Sequence, residues 1–256
     1  MLDISRRPTR LYMPMSLHFG LWPADDVRAM AVVHVTEPKI SIAARRDTVF
    51  DERMGPIGYL EKCATCNSYV ADCVGHFGYI ELVQPVYHPL LVDYVWKVVK
   101  NSCWQCRRQR PCACACAQGT WKRKQRSSPM VVWHVLRQNQ LYLRPDEVYA
   151  LLENAGKTGL MLTAMPVAPP VIRPSRRRGV AWSHDALSHA YASVVRENNV
   201  LRQFRRAHHA PHVLAAQVAR LQEQIDHVYL PTTGDRPTAG FRGRLDGKQG
   251  RFRQSE

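Results

Sequence analysis

The sequence has no apolar run long enough to cross a bilayer. Its most apolar segment, VYHPLLVDYVWKVV at 86–99, contains Asp93 and Lys97 and is shorter than the roughly 20 residues that a spanning helix needs. No apolar segment of the signal-peptide kind precedes the cysteines, and no repeat of solenoid length is present. We therefore expect a soluble intracellular protein and not a membrane, secreted or solenoid protein.

Acidic residues are scarce. Asp and Glu number 21 against 36 Lys and Arg, which gives a net charge of +15 over 256 residues. Such a surplus is typical of proteins with a polyanionic partner, although a solvated basic face or acidic neighbouring subunits would also account for it. Because 45% of the residues are apolar, the chain has enough material for a folded core in one large or two modest domains.

Cysteine is absent outside 63–116, and the eight cysteines inside that range form two groups. The first group has the spacing Cys63-x2-Cys66-x6-Cys73-x2-His76. Two close pairs of ligands are what a tetrahedral zinc site requires, so we predict a zinc site here, with Gly75 allowing the backbone to bend beside His76. The alternative is buried thiols beside an unrelated histidine.

The second group begins with Cys103-x2-Cys106 and continues with Cys112, Cys114 and Cys116. Five thiols compete for four positions, so we predict a second zinc held by Cys103, Cys106, Cys112 and Cys116. Cys114 is the alternative to Cys112, and a disulfide or a free thiol among the last three stays open. Neither site leaves a position for water, and neither HExxH nor the deaminase HxE…PCxxC pattern is present, which indicates structural and not catalytic zinc.

Periodicity predicts an α+β, loop-rich fold with several helices and short strands. A helix leading into a strand is expected at 23–35, and further helices are expected near 91–98 and over 144–156, 184–204 and 212–229. Between them, LMLTAMPVAPPVIRPS should be an extended passage that cannot pair as a central strand, and SRRRG at 175–179 should be a basic surface loop. We divide the chain into an N-terminal segment, a zinc-binding head, a helical core with the proline-rich passage, and a basic segment: 1–62, 63–135, 136–230 and 231–256.

The stretch DERMGPIGYLEKCATCNSYVADCVGHFGYIELVQPVYHP closely resembles the N-terminal clamp of the largest subunit of multisubunit DNA-dependent RNA polymerases. Three more stretches follow the family order, namely FGLWPADDVRAMAVVHV, the proline-rich passage and RLDGKQGRFR. CVGHFGYIEL and GKQGRFR look most like RNA polymerase III. The resemblance covers nearly the whole chain, but residues 107–135 are much shorter than the second zinc region of that family.

The resemblance implies a zinc-stabilised clamp core that holds template DNA and the RNA–DNA hybrid in the nucleus, together with the second-largest and smaller subunits. It implies nucleic-acid contacts by Arg244, Lys248, Arg251 and Arg253, although a solvated basic tail would leave the same pattern. The family's Asn-Ala-Asp-Phe-Asp-Gly-Asp motif, which holds Mg²⁺ in the complete polymerase, has no counterpart here. We therefore expect a truncated chain that is inactive alone. The alternative is a stand-alone zinc-dependent nucleic-acid-binding protein derived from the clamp, and an open reading frame beyond codon 256 would argue against it.

Overall fold

The computed structural model describes residues 20–43, 45–58, 60–103, 105–111, 120–124, 131–136, 139–178, 181–230 and 240–246. The helices in these ranges are α1 Ala24–Met30, α2 Val92–Lys100, α3 Pro145–Asn154, α4 Ala186–Arg206, α5 Pro211–Tyr229 and α6 Phe241–Asp246. The strands are β1 Val33–His34, β2 Gly78–Tyr87, β3 Thr120–Lys124, β4 Val131–Leu136, β5 Asn139–Leu143, β6 Met161–Val167, β7 Arg176–Arg178 and β8 Ala181–Ser183. Helices beside small sheets confirm the α+β class. None of these helices is long and apolar enough to cross a membrane.

Strand β2 is the centre of the main sheet. It pairs in parallel with β1 and antiparallel with β6, and buried and half-buried residues alternate along it. The sequence prediction missed this strand because it lies inside the cysteine-rich block. The consequence for the fold is that the predicted segments 1–62, 63–135 and 136–230 share one sheet.

A bulge interrupts β2 at the position of its proline. The register with β6 shifts between Glu81 and Val86, and Pro85 lies in the shifted stretch, where the missing N–H of proline removes no ladder bond. Asn198 of α4 satisfies the backbone there, since its amide oxygen accepts the Val83 N–H at 3.0 Å and its amide nitrogen donates to the Glu81 carbonyl at 2.8 Å. These two hydrogen bonds hold α4 against the sheet.

Helices α4 and α5 form an antiparallel pair against this sheet, and both predicted helices are confirmed with small differences at their ends. Asp185 caps α4 by accepting the Leu187 N–H at 2.8 Å, and Pro211 opens α5. The predicted apolar stripes are intramolecular core. Their buried members are Leu187, Tyr191, Val194, Val195, Leu201, Val218, Leu221, Ile225 and Val228.

A second apolar cluster lies between α2, α3 and the antiparallel sheet β3-β4-β5. The predicted helices at 91–98 and 144–156 are confirmed as α2 and α3. Glu147 accepts the Arg144 N–H at 2.8 Å at the start of α3, and Gly156 has a positive φ of 63° two residues beyond its end. The core of this cluster includes Val95, Val99, Trp121, Val148, Leu151 and Leu152.

The proline-rich passage begins as strand β6, which continues through Pro166. β6 lies at the edge of the main sheet, where proline is tolerated, so the expectation that the passage is not a central strand is confirmed. The predicted loop at 175–179 was wrong in part, because Arg176–Arg178 pairs with Ala181–Ser183 in a short hairpin.

Arg173 lies near the end of the proline-rich passage and is fully buried. Its guanidinium donates to the Ala168 carbonyl at 2.8 Å, to Ser188 Oγ at 2.9 Å and to the Val49 carbonyl. The group also lies over the rings of Phe50 and Tyr191. Arg173 therefore connects three parts of the chain: the loop that contains Val49, the proline-rich passage itself and helix α4.

Asp226 of α5 is a buried carboxyl group with one oxygen unpaired. Gln222 donates to Asp226 Oδ1 at 2.9 Å, while Oδ2 is buried without a hydrogen-bond partner in the described residues. Burial raises the pKa of Asp226 to about 6. The folded-state pKa of Asp226 lies above the unfolded value. The stability that its protonated form contributes to the fold is therefore complete below about pH 4 and is lost as the pH rises through about 6.

We expect Asp226→Asn to raise the free energy of unfolding by about 2 kcal/mol near pH 7.5, because the amide removes the buried charge and can still accept the Gln222 bond. The gain should shrink as the pH falls toward about 4. Urea unfolding of both proteins across this pH range measures the difference, with exposed Glu153→Gln on α3 as the control. A gain that did not change with pH would contradict the assigned titration.

Candidate metal centre

The ligand atoms of the first cysteine group converge. One ligand atom from each of Cys63, Cys66, Cys73 and His76 lies within 4.8 Å of every other. Cys66 Sγ and Cys73 Sγ are 3.6 Å apart. The structure thus brings together all four residues that the spacing predicted for this site.

The first ligand pair lies on a tight turn. Asn67 donates its N–H to the Cys63 carbonyl at 2.9 Å, and the Cys63 N–H donates to the Ser68 carbonyl at 2.9 Å. Asn67 has a positive φ of 57°, a conformation that asparagine adopts more readily than most residues. The Thr65 N–H points at Cys63 Sγ at 3.4 Å, so the turn provides a donor that would stabilise a thiolate.

The second ligand pair is placed by packing against the proline-rich passage. Gly75 has a φ of 82°, and a Cβ at this position would lie only 2.7 Å from Pro169 Cβ. The positive φ and the close approach of Pro169 both require glycine at this position, which confirms the predicted bend beside His76. The His76 N–H donates to the Met54 carbonyl at 3.0 Å, which fixes the backbone of the histidine.

The DERMG lead-in supports the metal cluster, because the Arg53 carbonyl accepts a hydrogen bond at 2.6 Å from Thr65 Oγ1 in the turn between Cys63 and Cys66, a role that sequence reasoning missed. Buried Asp51 accepts the Arg53 N–H at 3.0 Å and the Asp47 N–H at 2.7 Å. The Arg53 side chain also donates to both oxygens of Asp51. Burial alone would raise the pKa of Asp51, but the hydrogen bonds from Arg53 and Asp47 lower it below its usual range. A short polar motif just before a cysteine pair was the available signal.

The thiols of the cluster have opposite pKa shifts. Interaction with the His76 side chain lowers the pKa of Cys66 to about 6, whereas burial raises the pKa of Cys73 to about 11. Several thiolates can share one small volume only if a cation neutralises them. His76 Nε2 is buried without a hydrogen-bond partner in the described residues, so this nitrogen is available to bind such a cation.

The segment around the cluster has no apolar core of its own. Among the described residues from 57 to 77, only Cys63 and Cys73 are buried. Three thiols and an imidazole form the Cys₃His donor set of structural zinc, and four protein ligands leave no open position for water. The residues therefore fit a zinc ion that would hold this segment together.

The second cysteine pair lies on a turn with the geometry of the first. The Arg107 N–H donates to the Cys103 carbonyl at 3.0 Å, and the Cys103 N–H donates to the Arg108 carbonyl at 2.7 Å. Arg107 has a φ of 57°, as Asn67 does. An isolated antiparallel β-bridge closes each turn, between Ser102 and Gln109 around the second pair and between Lys62 and Tyr69 around the first. Cys112, Cys114 and Cys116 lie outside the described residues, so the geometry of this candidate site covers Cys103 and Cys106 alone.

Of the four predicted nucleic-acid contacts, the structure describes Arg244, while Lys248, Arg251 and Arg253 lie outside the described residues. Arg244 forms an ion pair with Asp185 at the start of α4, and 17% of its side chain is exposed. This pairing competes with a phosphate contact and gives Arg244 an intramolecular role.

Comparison with known proteins identifies the family. A family model described as RNA polymerase Rpb1, domain 1, matches residues 15–110 and 146–255. The chain belongs to this family. The unmatched residues 111–145 contain the last three cysteines and strands β3 to β5. The Rpb1 domain 1 match includes the whole first cluster and the α4–α5 pair.

Several curated RNA polymerase subunits are similar to this chain. A probable DNA-directed RNA polymerase II subunit RPB1 homolog of Invertebrate iridescent virus 6 is 42% identical over 36% of this chain and 9% of its own length. The RNA polymerase II subunit RPB1 of Euplotoides octocarinatus is 26% identical over 93% of this chain and 65% of its own length. RNA polymerase subunit Rpo1N of Methanothermobacter thermautotrophicus (strain Winter) is 24% identical over 93% of this chain and 34% of its own length. The chain thus spans less than two thirds of these relatives.

Proposed function

We propose that this chain is the N-terminal clamp module of the largest subunit of a DNA-directed RNA polymerase and contributes to RNA synthesis by holding template DNA and the RNA–DNA hybrid. The match to Rpb1 domain 1 on both sides of residues 111–145 carries the proposal. The chain acts with the second-largest and smaller subunits. It supplies no catalytic aspartates, so nucleotidyl transfer depends on the rest of the enzyme and its Mg²⁺.

Two structural zinc ions stiffen the module. Cys63, Cys66, Cys73 and His76 hold the first, and the convergence of their ligand atoms supports this assignment. Cys103 and Cys106 hold the second together with Cys112 and Cys116, and the matching geometry of the two turns supports it. Zinc supplies folding free energy where apolar burial is small.

The chain acts in the nucleus as part of RNA polymerase III, an assignment that rests on CVGHFGYIEL and GKQGRFR alone. The relatives described above are named for class II or for subunit Rpo1N, so the class stays a prediction. Identification of the class-specific subunits that co-purify with the tagged chain tests it. Recovery with class I or class II subunits only would contradict it.

The basic C-terminal stretch contacts phosphates without reading sequence. Arg251→Gln with Arg253→Gln should therefore weaken binding to a short DNA duplex and lower the slope of log affinity against log salt by about 2. Fluorescence anisotropy over a salt series measures both. Arg46→Gln with Arg196→Gln removes the same charge from exposed positions elsewhere and is the matched control. Equal losses in the two double variants would show that only net charge matters.

A further inference from the structure

An apolar groove lies between the start of α5 and the loop that joins β5 to α3. Its volume is about 480 Å³, within the range of protein ligand sites. Its apolar lining residues are Leu143, Pro145, Pro211, Leu214, Ala215, Val218 and Ala219. None of its lining residues is a predicted metal ligand or a predicted nucleic-acid contact, so none of the functions above uses it.

Arg205 lies at the rim of this groove and is held in place by the β2 bulge. Its guanidinium donates to the Val83 carbonyl at 3.0 Å and to Gln84 Oε1 at 3.0 Å. No carboxylate of the described residues lies within ion-pair distance of Arg205. The second rim cation, Arg144, is 3.4 Å from Asp146. The groove therefore combines an apolar floor with one oriented cation that has no acidic partner there.

The floor favours a helix as the occupant. Ala215 and Ala219 are one turn apart on α5, and their small side chains let another backbone approach closely, while Leu214 and Val218 provide apolar contacts. Nucleic acid fits less well, because the described lining residues include no aromatic side chain for base stacking, and Arg205 is the one described rim cation without an acidic partner.

We propose that this groove binds an acidic amphipathic helix of a partner protein. Leucine or similar apolar side chains of that helix occupy the groove between Leu143 and Val218, and a carboxylate on one side of the helix pairs with Arg205. Burial of the apolar side chains supplies the affinity, and the ion pair sets the orientation.

The test uses the full chain and a fluorescein-labelled peptide of about four helical turns, with leucines at helical spacing and glutamates on one flank. Fluorescence anisotropy measures its dissociation constant. Ala215→Trp, which fills the groove, should weaken binding at least about 10-fold, and Arg205→Gln should weaken it about 5-fold at low salt. Arg206→Gln, an exposed arginine outside the groove, is the matched control and should change binding little.

Circular dichroism of each variant shows whether α4 and α5 are intact. Since Arg205 also bonds the bulge, a peptide with glutamine in place of glutamate provides an independent reading. That peptide should bind wild-type protein about as weakly as the acidic peptide binds Arg205→Gln. The proposal is overturned if a scrambled-leucine peptide binds equally well, if Arg206→Gln has the effect of Arg205→Gln, or if no binding occurs at about 1 mM peptide. It is also overturned if a short DNA duplex displaces the peptide, or if Ala215→Trp abolishes self-association of the chain and leaves peptide binding unchanged.

Discussion

Cys73→Ser is expected to release the segment around the first metal cluster. The change should remove one zinc ion per chain and raise amide exchange in residues 57–77 by at least about 100-fold, because Cys63 and Cys73 are the only buried residues among those that the structure describes in this segment. Hydrogen exchange resolved by peptide, together with zinc analysis, measures both effects. The α4–α5 pair should stay protected, since its apolar core does not include the cluster.

Val74→Ser is the matched control for this change, because Val74 directly follows Cys73, is 84% exposed and has no ligand atom. It should keep the zinc and the exchange protection. Full zinc content with unchanged protection in Cys73→Ser would contradict a role for Cys73 as a ligand. Loss of protection throughout the chain would show that the cluster supports the main core as well.

Arg173→Met should lower the free energy of unfolding by about 3 kcal/mol or more. The methionine fills much of the volume but leaves the Val49 and Ala168 carbonyls and Ser188 without their donor, and each buried polar group without a partner costs about 1–3 kcal/mol. Burial opposes this loss, since it lowers the pKa of Arg173 to about 10 and makes the charge costly. We expect the three hydrogen bonds and two ring contacts to outweigh that cost.

Urea unfolding of Arg173→Met, Arg173→Lys and the control Arg176→Met tests this balance. Lysine keeps the charge but cannot reach three separate acceptors as the planar guanidinium does, so Arg173→Lys should also be destabilised. Arg176 is exposed, and its replacement should change stability little. A midpoint for Arg173→Met equal to or above that of the wild type would mean that desolvation outweighs the contacts.

Local patterns predicted the helices well. The stripes of α4 and α5 and the proline and acids at the start of α3 depend on neighbours a few positions apart, so the sequence contains the whole signal. The spacing of Cys63, Cys66, Cys73 and His76 predicted their convergence for the same reason. The backbone bend at Gly75 also followed from the residue type.

Long-range arrangements could not be predicted in this way. The role of β2 as the central strand depends on pairing with β6, more than 70 residues away, and its bulge depends on Asn198 of α4. Arg173 is a charged residue close in sequence to an arginine-rich hairpin, so the sequence suggests that it lies on the surface. Its burial results from three carbonyl and hydroxyl acceptors that the fold assembles.

Zinc content is the most direct measurement of the central claim that metal holds the cysteine-rich segments of this Rpb1 domain in place. The 256-residue chain, purified without chelator, should contain about two zinc ions, and Cys73→Ser should contain about one. Removal of zinc by a strong chelator should raise amide exchange in residues 57–77, and added zinc should restore the protection. A zinc content near zero in protein with a fully protected first cluster would contradict the account.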